Sequence, residues 1–310
     1  MSVGAPFNGK TFRNLDAAAD RSLLQVLRWA TSRQRKSWPV WVESRVRYEP
    51  REARAGEVLI TFVNHSTFLI QAPGLTVLTD PVWGRRASPV QWAGPARTCA
   101  PGIPFDRLPR VDAVLVSHNH YDHMDLATLR RLQRRFSSPI VTTLGNKAFL
   151  ERRGIRQVVE LDWWDSHEWV TATPAQHFAA RTPFDRNRTL WAGFAISFAG
   201  RRLFFTGDSG YGSHFADIGA RLGPFDAALV PIGAYEPRWF MSAAHMNPDE
   251  AVRAHLDLRS RLSVAMHFGC FHLTDEAIDE PVNDLARALE QHRLASPAFR
   301  VLEPGETLAI

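Results

Sequence analysis

Residues 111–123 read Val-Asp-Ala-Val-Leu-Val-Ser-His-Asn-His-Tyr-Asp-His, and this stretch decides how the rest of the sequence is interpreted. Its first half is a short, nearly continuous apolar run, typical of a strand that is covered on both faces. After it, apolar side chains recur at helical spacing, at Leu126, Leu129, Leu132 and Phe136. Further apolar runs at 140–143, 169–173, 190–198, 202–206, 227–231 and 262–266 predict strands, so we expect a large α/β domain.

The second half of that stretch, 117–123, contains the pattern HxHxDH. His118 and His120 are two residues apart in an extended segment, so their side chains point the same way and can share a metal ion. Asp122 and His123 follow where the chain turns into the helix, and they can face a second metal. Imidazole nitrogen and carboxylate oxygen are suitable zinc ligands. The alternative, a polar loop with coincidental histidines, is disfavoured by four donors at such close spacing.

Three later apolar runs each end in a side chain that can bind a metal: 170–175 before His177, 202–207 before Asp208, and 262–266 before His267. A lone histidine after a strand is usually structural, but strand ends in an α/β fold meet at one edge and form sites there. The sequence therefore predicts a two-metal site with the ligands His118, His120, Asp122, His123, His177, Asp208 and His267. His65 also follows an apolar run and is a candidate to support a ligand from behind.

The formal charge of +5 lies entirely in residues 1–50, which hold nine basic and four acidic side chains. Residues 51–310 are formally neutral, so they offer no basic surface for nucleic acid, and we expect no nucleic-acid partner. We interpret 1–50 as a basic arm with a helix around 17–31 that packs on the main domain, and 51–310 as the domain that carries the metal site. The arm either packs on the domain or lies against anionic lipid.

The two cysteines, Cys99 and Cys270, lie far apart and form no metal or redox pattern, which suits a reducing compartment. Residues 1–14 lack the apolar core of a secretory signal, and the sequence has no apolar run long enough to cross a membrane. The expected location is the cytoplasm, with membrane association as an alternative.

Several motifs beyond HxHxDH carry a family resemblance. They include Leu78-Thr79-Asp80-Pro81, Gly207-Asp208-Ser209-Gly210-Tyr211 and the eleven residues 231–241, Pro-Ile-Gly-Ala-Tyr-Glu-Pro-Arg-Trp-Phe-Met. With these motifs the sequence resembles the metallo-β-lactamase superfamily, and within it the N-acyl-phosphatidylethanolamine-hydrolysing phospholipases D and their bacterial relatives. The resemblance implies a four-layer αββα sandwich, in which two mixed sheets are flanked by helices and the metals lie at one edge.

The resemblance also implies how the ligands divide. His118, His120 and His177 would hold one zinc ion, Asp122, His123 and His267 the other, and Asp208 would bridge the two. Asp80 resembles a carboxylate that orients ligand histidines through hydrogen bonds, although an aspartate at such a position can also simply cap a turn. The sequence departs from the mammalian lipid enzyme after His267, where it reads Phe-Gly-Cys-Phe-His.

Two zinc ions would lower the pKa of a bridging water and give a hydroxide that attacks phosphorus or a carbonyl carbon. Asp122 belongs to this machinery as a ligand, and His245, His272 and Tyr235 are candidates to protonate the leaving alcohol. The leading interpretation is a zinc-dependent phosphodiesterase, resembling a phospholipase D, with a small-molecule or phospholipid substrate.

Four alternatives remain open on the sequence. A lactonase, or another hydrolase of esters or amides, could use the same site. A di-iron oxidoreductase of the same fold typically carries Glu at the second position of the motif, where this chain has His120. A metal-binding module without turnover would not need seven ligands, and a nuclease would need the basic groove that 51–310 lack.

Overall fold

The computed structural model of the chain describes residues 4–16 and 21–310. Its strands are β1 (Leu59–Asn64), β2 (Thr67–Ala72), β3 (Leu75–Thr79), β4 (Ala113–Leu115), β5 (Ile140–Thr143), β6 (Val158–Leu161), β7 (Ser166–His167), β8 (Val170–Thr173), β9 (Gly193–Phe198), β10 (Arg201–Phe205), β11 (Ala227–Pro231), β12 (Ser263–Met266), β13 (Phe299–Arg300) and β14 (Thr307–Ala309). Its helices are α1 (Leu23–Thr31), α2 (Leu126–Phe136), α3 (Lys147–Glu151), α4 (His214–Arg221), α5 (Arg238–Met241), α6 (Pro248–Asp257) and α7 (Glu280–Gln291).

The strands form two seven-stranded mixed sheets. The first has the order β14-β1-β2-β3-β4-β5-β6, and the second has the order β13-β12-β11-β10-β9-β8-β7. In the first sheet, β3 to β6 run parallel, whereas β1 pairs antiparallel with both β2 and β14. In the second, β10 to β13 run parallel and β7 to β10 antiparallel.

The main core lies between the two sheets. On β10, Leu203 and Phe205 point into it, while Phe204 between them packs on the opposite face with residues of the outer helices. This alternation follows from the two-residue period of a strand, and it explains why the strand sequence is apolar throughout. Helices α4, α6 and α7 cover that outer face. The corresponding cluster on the first sheet includes Leu129 and Leu132 of α2. The predicted αββα sandwich is thus confirmed.

Local sequence explains where α6 begins. Asn247 accepts a hydrogen bond from the backbone N–H of Glu250, and the Glu250 side chain bonds back to the backbone of Asn247, which completes a capping box. Pro248 fits the first turn, where its missing N–H costs nothing. The helix predicted after 247 is present.

Two predicted strands are shorter in the structure. The run 111–117 forms a strand only over Ala113–Leu115, since the N–H of Ser117 donates to the carboxylate of Asp80 instead of extending the ladder. The run 190–198 pairs in the second sheet only from Gly193 onward. The N–H of Ala192 bonds to the carbonyl of Ser117, which ties this segment to the first sheet.

The arm contacts the domain along much of its described length. Its helix covers Leu23–Thr31, whereas residues 17–20 of the predicted helix lie outside the described residues. The Arg33 guanidinium pairs with Asp275 at 2.7 Å, and the Trp38 indole donates to the carbonyl of Glu276. None of the described helices has the length and apolar character needed to cross a bilayer.

Candidate metal centre

The seven predicted ligands converge at the edge where β4, β8, β10 and β12 end. The structure brings all of them together from four separate chain segments, and each is at least nine-tenths buried except His120, which is partly buried. Parallel and neighbouring strands end at a common edge, so residues far apart in sequence meet there. Their role as ligands stays a prediction.

Gly207 allows Asp208 to enter the cluster. Its φ is +61°, in the left-handed region that favours glycine, and an added Cβ would lie 2.8 Å from Cβ of Ser117 and 2.9 Å from the carbonyl oxygen of Ala192. The strand β10 therefore passes closely against the start of the HxHxDH loop, and the carboxylate of Asp208 follows directly.

The first cluster consists of three imidazole nitrogens. Nε2 of His118 lies 2.8 Å from Nδ1 of His120, and Nε2 of His177 lies 3.2 Å from the same atom. Burial lowers the pKa of all three histidines, that of His120 to about 4. Neutral imidazoles present lone pairs, so this cluster is in the form that binds a metal ion.

The second cluster contains carboxylates. Oδ2 of Asp122 lies 3.4 Å from Nε2 of His123 and 3.4 Å from Nε2 of His267. Burial opposes the charged form of both histidines, but Asp208 and Asp122 outweigh it. They hold the pKa of His123 well above its ordinary value and raise the pKa of His267 to about 9.

Asp208 stands between the two clusters. Its Oδ2 lies 3.1 Å from Nε2 of His123, 3.0 Å from Nε2 of His267 and 3.8 Å from Nε2 of His177. A single carboxylate oxygen therefore faces nitrogen donors of both groups, which is the arrangement that a bridging ligand needs.

Asp80 supports the clusters from behind. It is fully buried, and its Oδ2 lies 2.6 Å from Nδ1 of His123 and accepts from the Ser117 hydroxyl, while Oδ1 accepts from the Ser117 N–H. The Ser117 hydroxyl also lies 2.9 Å from Nδ1 of His118. Such bonds fix the ring orientation and tautomer of ligand histidines. The contacts therefore match the predicted supporting role rather than a simple turn cap.

His65 is the other predicted supporting residue. Its Nε2 lies 3.1 Å from Oδ2 of Asp122, and its carbonyl accepts the N–H of His267 at 2.8 Å. His65, Asp80 and His267 all have positive φ, between 32° and 60°. Strained backbone of this kind in non-glycine residues clusters at functional sites and persists only where surrounding contacts hold it.

A cavity of about 350 Å³ opens onto the clusters. The polar end of the cavity is lined by His120, Asp122, Asp208 and His245. Its walls are mostly apolar and include Val26 and Trp29 of the arm together with Phe178, Phe240 and Leu273. The Trp29 ring stacks on Phe240 with centroids 4.9 Å apart, so the arm completes the wall.

The three candidate proton donors are not equally placed. His245 lines the cavity, and its Nδ1 lies 4.0 Å from Oδ2 of Asp208. The Tyr235 hydroxyl instead donates to Asp284 and lines a different cavity. His272 stacks on Trp38 of the arm and lines neither. Of the three, His245 is the one that lines the cavity at the clusters, and the proton-donor role of each stays a prediction.

Asn14 is a site residue that the sequence analysis missed. Its side chain donates to the carbonyl of His177 at 2.8 Å and accepts the N–H of the same residue at 2.9 Å. This reciprocal pair fixes the backbone of a predicted ligand. No spacing or motif signals it, since the two residues lie 163 positions apart.

The donor set fits divalent metal ions. Among the described residues, buried atoms without a hydrogen-bond partner include Nε2 of His123, Nε2 of His267, Oδ1 of Asp208 and Nδ1 of His245. Buried polar atoms are rarely left unpaired, and each such atom requires an explanation. For His123, His267 and Asp208, metal coordination would supply it, because imidazole nitrogen and carboxylate oxygen are the ligands that zinc and related ions take.

A family model described as a beta-lactamase superfamily domain matches residues 76–268. The chain belongs to this superfamily and is a metal-dependent hydrolase of the metallo-β-lactamase fold. Within the family it is similar to N-acyl-phosphatidylethanolamine-hydrolyzing phospholipase D 1 of Caenorhabditis elegans. The two are 39% identical over 267 residues, which cover 79% of this chain and 74% of that protein. The predicted family is therefore confirmed.

Solved structures share the fold at lower identity. Igni18, a metallo hydrolase of the archaeon Ignicoccus hospitalis, gives a TM-score of 0.62 at 22% identity and covers 82% of this chain and 98% of its own. CmlA, a diiron beta-hydroxylase of Streptomyces venezuelae, gives 0.59 at 22% identity and covers 84% of this chain and 55% of its own. At this identity the likeness concerns the fold alone.

Proposed function

We propose that the protein is a zinc-dependent phosphodiesterase that cleaves phospholipids of the N-acyl-phosphatidylethanolamine type in the manner of a phospholipase D. One observation carries the proposal: two donor clusters share Oδ2 of Asp208 at the polar end of an apolar-walled cavity. The similarity to the Caenorhabditis elegans enzyme supports the same substrate class.

The ligand assignment follows the two clusters. His118, His120 and His177 would hold one zinc ion, and Asp122, His123 and His267 the other, with Asp208 shared. Two such ions supply Lewis-acid activation of water and neutralise the charge that develops on phosphoryl oxygens.

The chain itself binds and orients the lipid. Arg21 and Arg186 line the cavity, and guanidinium groups suit the phosphate oxygens of a phosphodiester. Val26, Trp29 and Phe178 offer apolar surface for an acyl chain and exclude water from it. A small polar lactone would gain little from these walls, and this favours the lipid over the lactone.

His245 is the chain's own candidate to handle a proton. Burial lowers its pKa to about 3, so its imidazole is neutral at pH 7. A neutral ring in this cavity donates a hydrogen bond to a substrate oxygen, or accepts a proton and returns it to the leaving alkoxide.

The arm would bring the cavity to a membrane surface. Leu24 and Leu27 of α1 are 78% and 53% exposed, and Trp239 next to the cavity wall is 40% exposed. The Arg28 guanidinium lies 4.9 Å from the centre of a Trp239 ring, so a cation accompanies the apolar face. Basic and apolar side chains together suit the anionic surface of a bilayer.

The reaction is tested with chelated protein reloaded with zinc. Vesicles containing N-acyl-phosphatidylethanolamine, bis-(p-nitrophenyl) phosphate and a panel of lactones are compared, with Asp208→Ala as the blank and His167→Ala, a partly exposed histidine on β7, as the matched control. We expect phosphodiester cleavage that needs zinc, and heavy-oxygen label from water in the phosphate product rather than the alcohol. Fast lactone turnover without phosphodiester cleavage contradicts the proposal and favours a lactonase.

Iron-loaded protein tests the di-iron alternative that shares this fold. With a chemical reductant and oxygen, we expect no substrate-dependent oxygen consumption. Elemental analysis of protein purified without added metal should give zinc near two equivalents per chain. A site filled by iron, with oxygen consumption, would replace the hydrolase by an oxidoreductase.

Membrane contact is tested by point substitution, because deletion of the arm would also remove Trp29 and Asn14 from the site. The double variant Leu24→Ser, Leu27→Ser should bind anionic vesicles several-fold more weakly and keep its activity on the soluble phosphodiester. Leu256→Ser, an exposed leucine on α6, is the matched control. Equal binding of all three proteins excludes this surface.

A further inference from the structure

Cys99 and Cys270 meet in a small cluster behind the second donor cluster. Both are buried, free thiols, and they pack with Val82 and Phe271. The two segments are also joined by their backbones, because the N–H of Thr98 donates to the carbonyl of Cys270 at 2.8 Å. Cysteines that the sequence separates widely are thus held together by folding.

A second cavity connects this pair to the surface. It has a volume of about 410 Å³, and both cysteines line it together with the exposed residues Glu43 and Arg45. A small solute that enters this cavity comes against both cysteine residues without unfolding of the domain. Exposure of the sulfur to a solute is one condition for thiol chemistry.

The two thiols differ in character. The neighbouring Cys270 thiol lowers the pKa of Cys99, and the positive charge of Arg97 acts in the same direction. Burial raises the pKa of Cys270 well above its ordinary value. Cys99 is also the more exposed of the two, at 6% against 1%, so it is the better placed to react first, and Cys270 is the thiol that reacts second.

We propose that Cys99 and Cys270 form a modification site, a dithiol that a small peroxide converts reversibly into a disulfide. In the first step the Cys99 sulfur attacks one oxygen of the peroxide, an S–O bond forms as the O–O bond breaks, and the thiol proton leaves with the other oxygen as water or an alcohol. In the second step the Cys270 sulfur attacks the Cys99 sulfur, the S–S bond forms, the S–O bond breaks, and a water leaves. Two thiols are oxidised and one peroxide is reduced, and a thiol reductant reverses the change.

The disulfide would cross-link two chain segments that lie behind the metal centre, outside the cavity that opens onto the clusters. It would join the long segment between β3 and β4 to the loop that follows β12, where Cys270 stands three residues after His267. The Cys270 sulfur also lies 4.0 Å from Oδ1 of Asn64, the residue before His65. The cross-link therefore constrains the backbone behind the second cluster, and this role goes beyond hydrolysis of a phosphodiester.

The test treats folded, metal-loaded protein with hydrogen peroxide, alkylates the remaining thiols, and maps peptides by mass spectrometry. We expect one intramolecular Cys99–Cys270 peptide, the loss of both titratable thiols, a rise of several degrees in Tm, and full reversal by dithiothreitol. Cys99→Ser and Cys270→Ser should each abolish the cross-link and the Tm shift while they keep the basal activity.

Two results would overturn the proposal. The first is that peroxide yields no cross-linked peptide, because both thiols stay free or because single cysteines only gain oxygen. The other is a disulfide that forms only between chains, seen as a dimer on non-reducing gels. If Cys270→Ser does not fold, the proposal is still tested by Cys99→Ser and by the peptide map of the unaltered protein. Neither of these measurements depends on hydrolase activity.

Discussion

The two donor clusters sit side by side, yet their electrostatics differ. The first is made of His118, His120 and His177, which burial keeps neutral. In the second, Asp122 and Asp208 hold His123 and His267 in the charged form when no metal competes. The first cluster is therefore ready for a cation, whereas the second must release protons first. Metals should enter the two halves with different affinity and different pH dependence.

Removal of the Asp208 carboxylate should have the largest effect on metal content and activity, because this side chain faces both donor clusters. We expect Asp208→Ala to lose most bound metal and at least about 10³-fold in kcat/KM, since several kcal/mol of charge stabilisation disappear. Elemental analysis and a phosphodiester assay measure this. Asp106→Ala, whose carboxylate is exposed, is the control. An Asp208→Ala protein that keeps two metals and its activity contradicts the assignment of a shared ligand.

Asp80→Asn should weaken the two donor clusters unequally. An amide has one accepting oxygen, whereas the carboxylate uses one oxygen for His123 and the Ser117 hydroxyl and the other for the Ser117 N–H, so metal affinity or rate should fall about 10–100-fold. We expect the loss mainly at the second cluster, where Asp80 contacts His123 directly. Competition with a coloured chelator gives the two affinities. Asp217→Asn on α4 is the matched control, and an equal loss at both clusters would argue against a local role.

The pH dependence of metal affinity should also differ between the two donor clusters. The pKa of metal-free His267 is about 9, so below pH 9 a metal ion that binds the second cluster must displace a proton. The metal affinity of that cluster should therefore fall about tenfold, for each displaced proton, with every unit by which the pH is lowered. His120, with a pKa of about 4, releases none above pH 5. Titration calorimetry in buffers of different ionisation enthalpy counts the protons. Two binding events with the same pH slope would contradict the comparison.

Asn14→Ala should give the smallest effect. It removes two neutral hydrogen bonds to the backbone of His177, and each is worth about 1 kcal/mol. Partial compensation by water leaves an expected loss of about 3–10-fold in metal affinity at the first cluster, with the second unchanged. The exposed Asn283→Ala serves as the control. An unchanged metal affinity at the first cluster would mean that His177 keeps its position without the two hydrogen bonds from Asn14.

The sequence predicted the parts of the site that depend on local pattern. The HxHxDH spacing and the apolar runs before His177, Asp208 and His267 located residues that do converge, because strand period and shared sheet edges follow general rules. Their grouping is seen in the structure, while metal binding by each of them stays a prediction.

Contacts between distant segments were beyond the sequence. Asn14 and His177, or Cys99 and Cys270, carry no spacing signal, since only the folded chain brings them together. The same limit explains Tyr235 and His272. Both lie in motifs near ligands, but the hydroxyl of Tyr235 donates to Asp284, and the ring of His272 stacks on Trp38.

The docked arm has a consequence for biosynthesis. The ribosome makes the arm before the segments that it contacts: Asn14 bonds to His177, Trp38 to the carbonyl of Glu276, and Ser44 to the carbonyl of Pro304. Each of these contacts can form only after its later partner has left the exit tunnel, so the arm docks in stages as residues 177, 276 and 304 appear. A nascent chain that stalls before β12 lacks His267 of the second cluster and Leu273 of the cavity wall, so neither the cluster nor the cavity is complete.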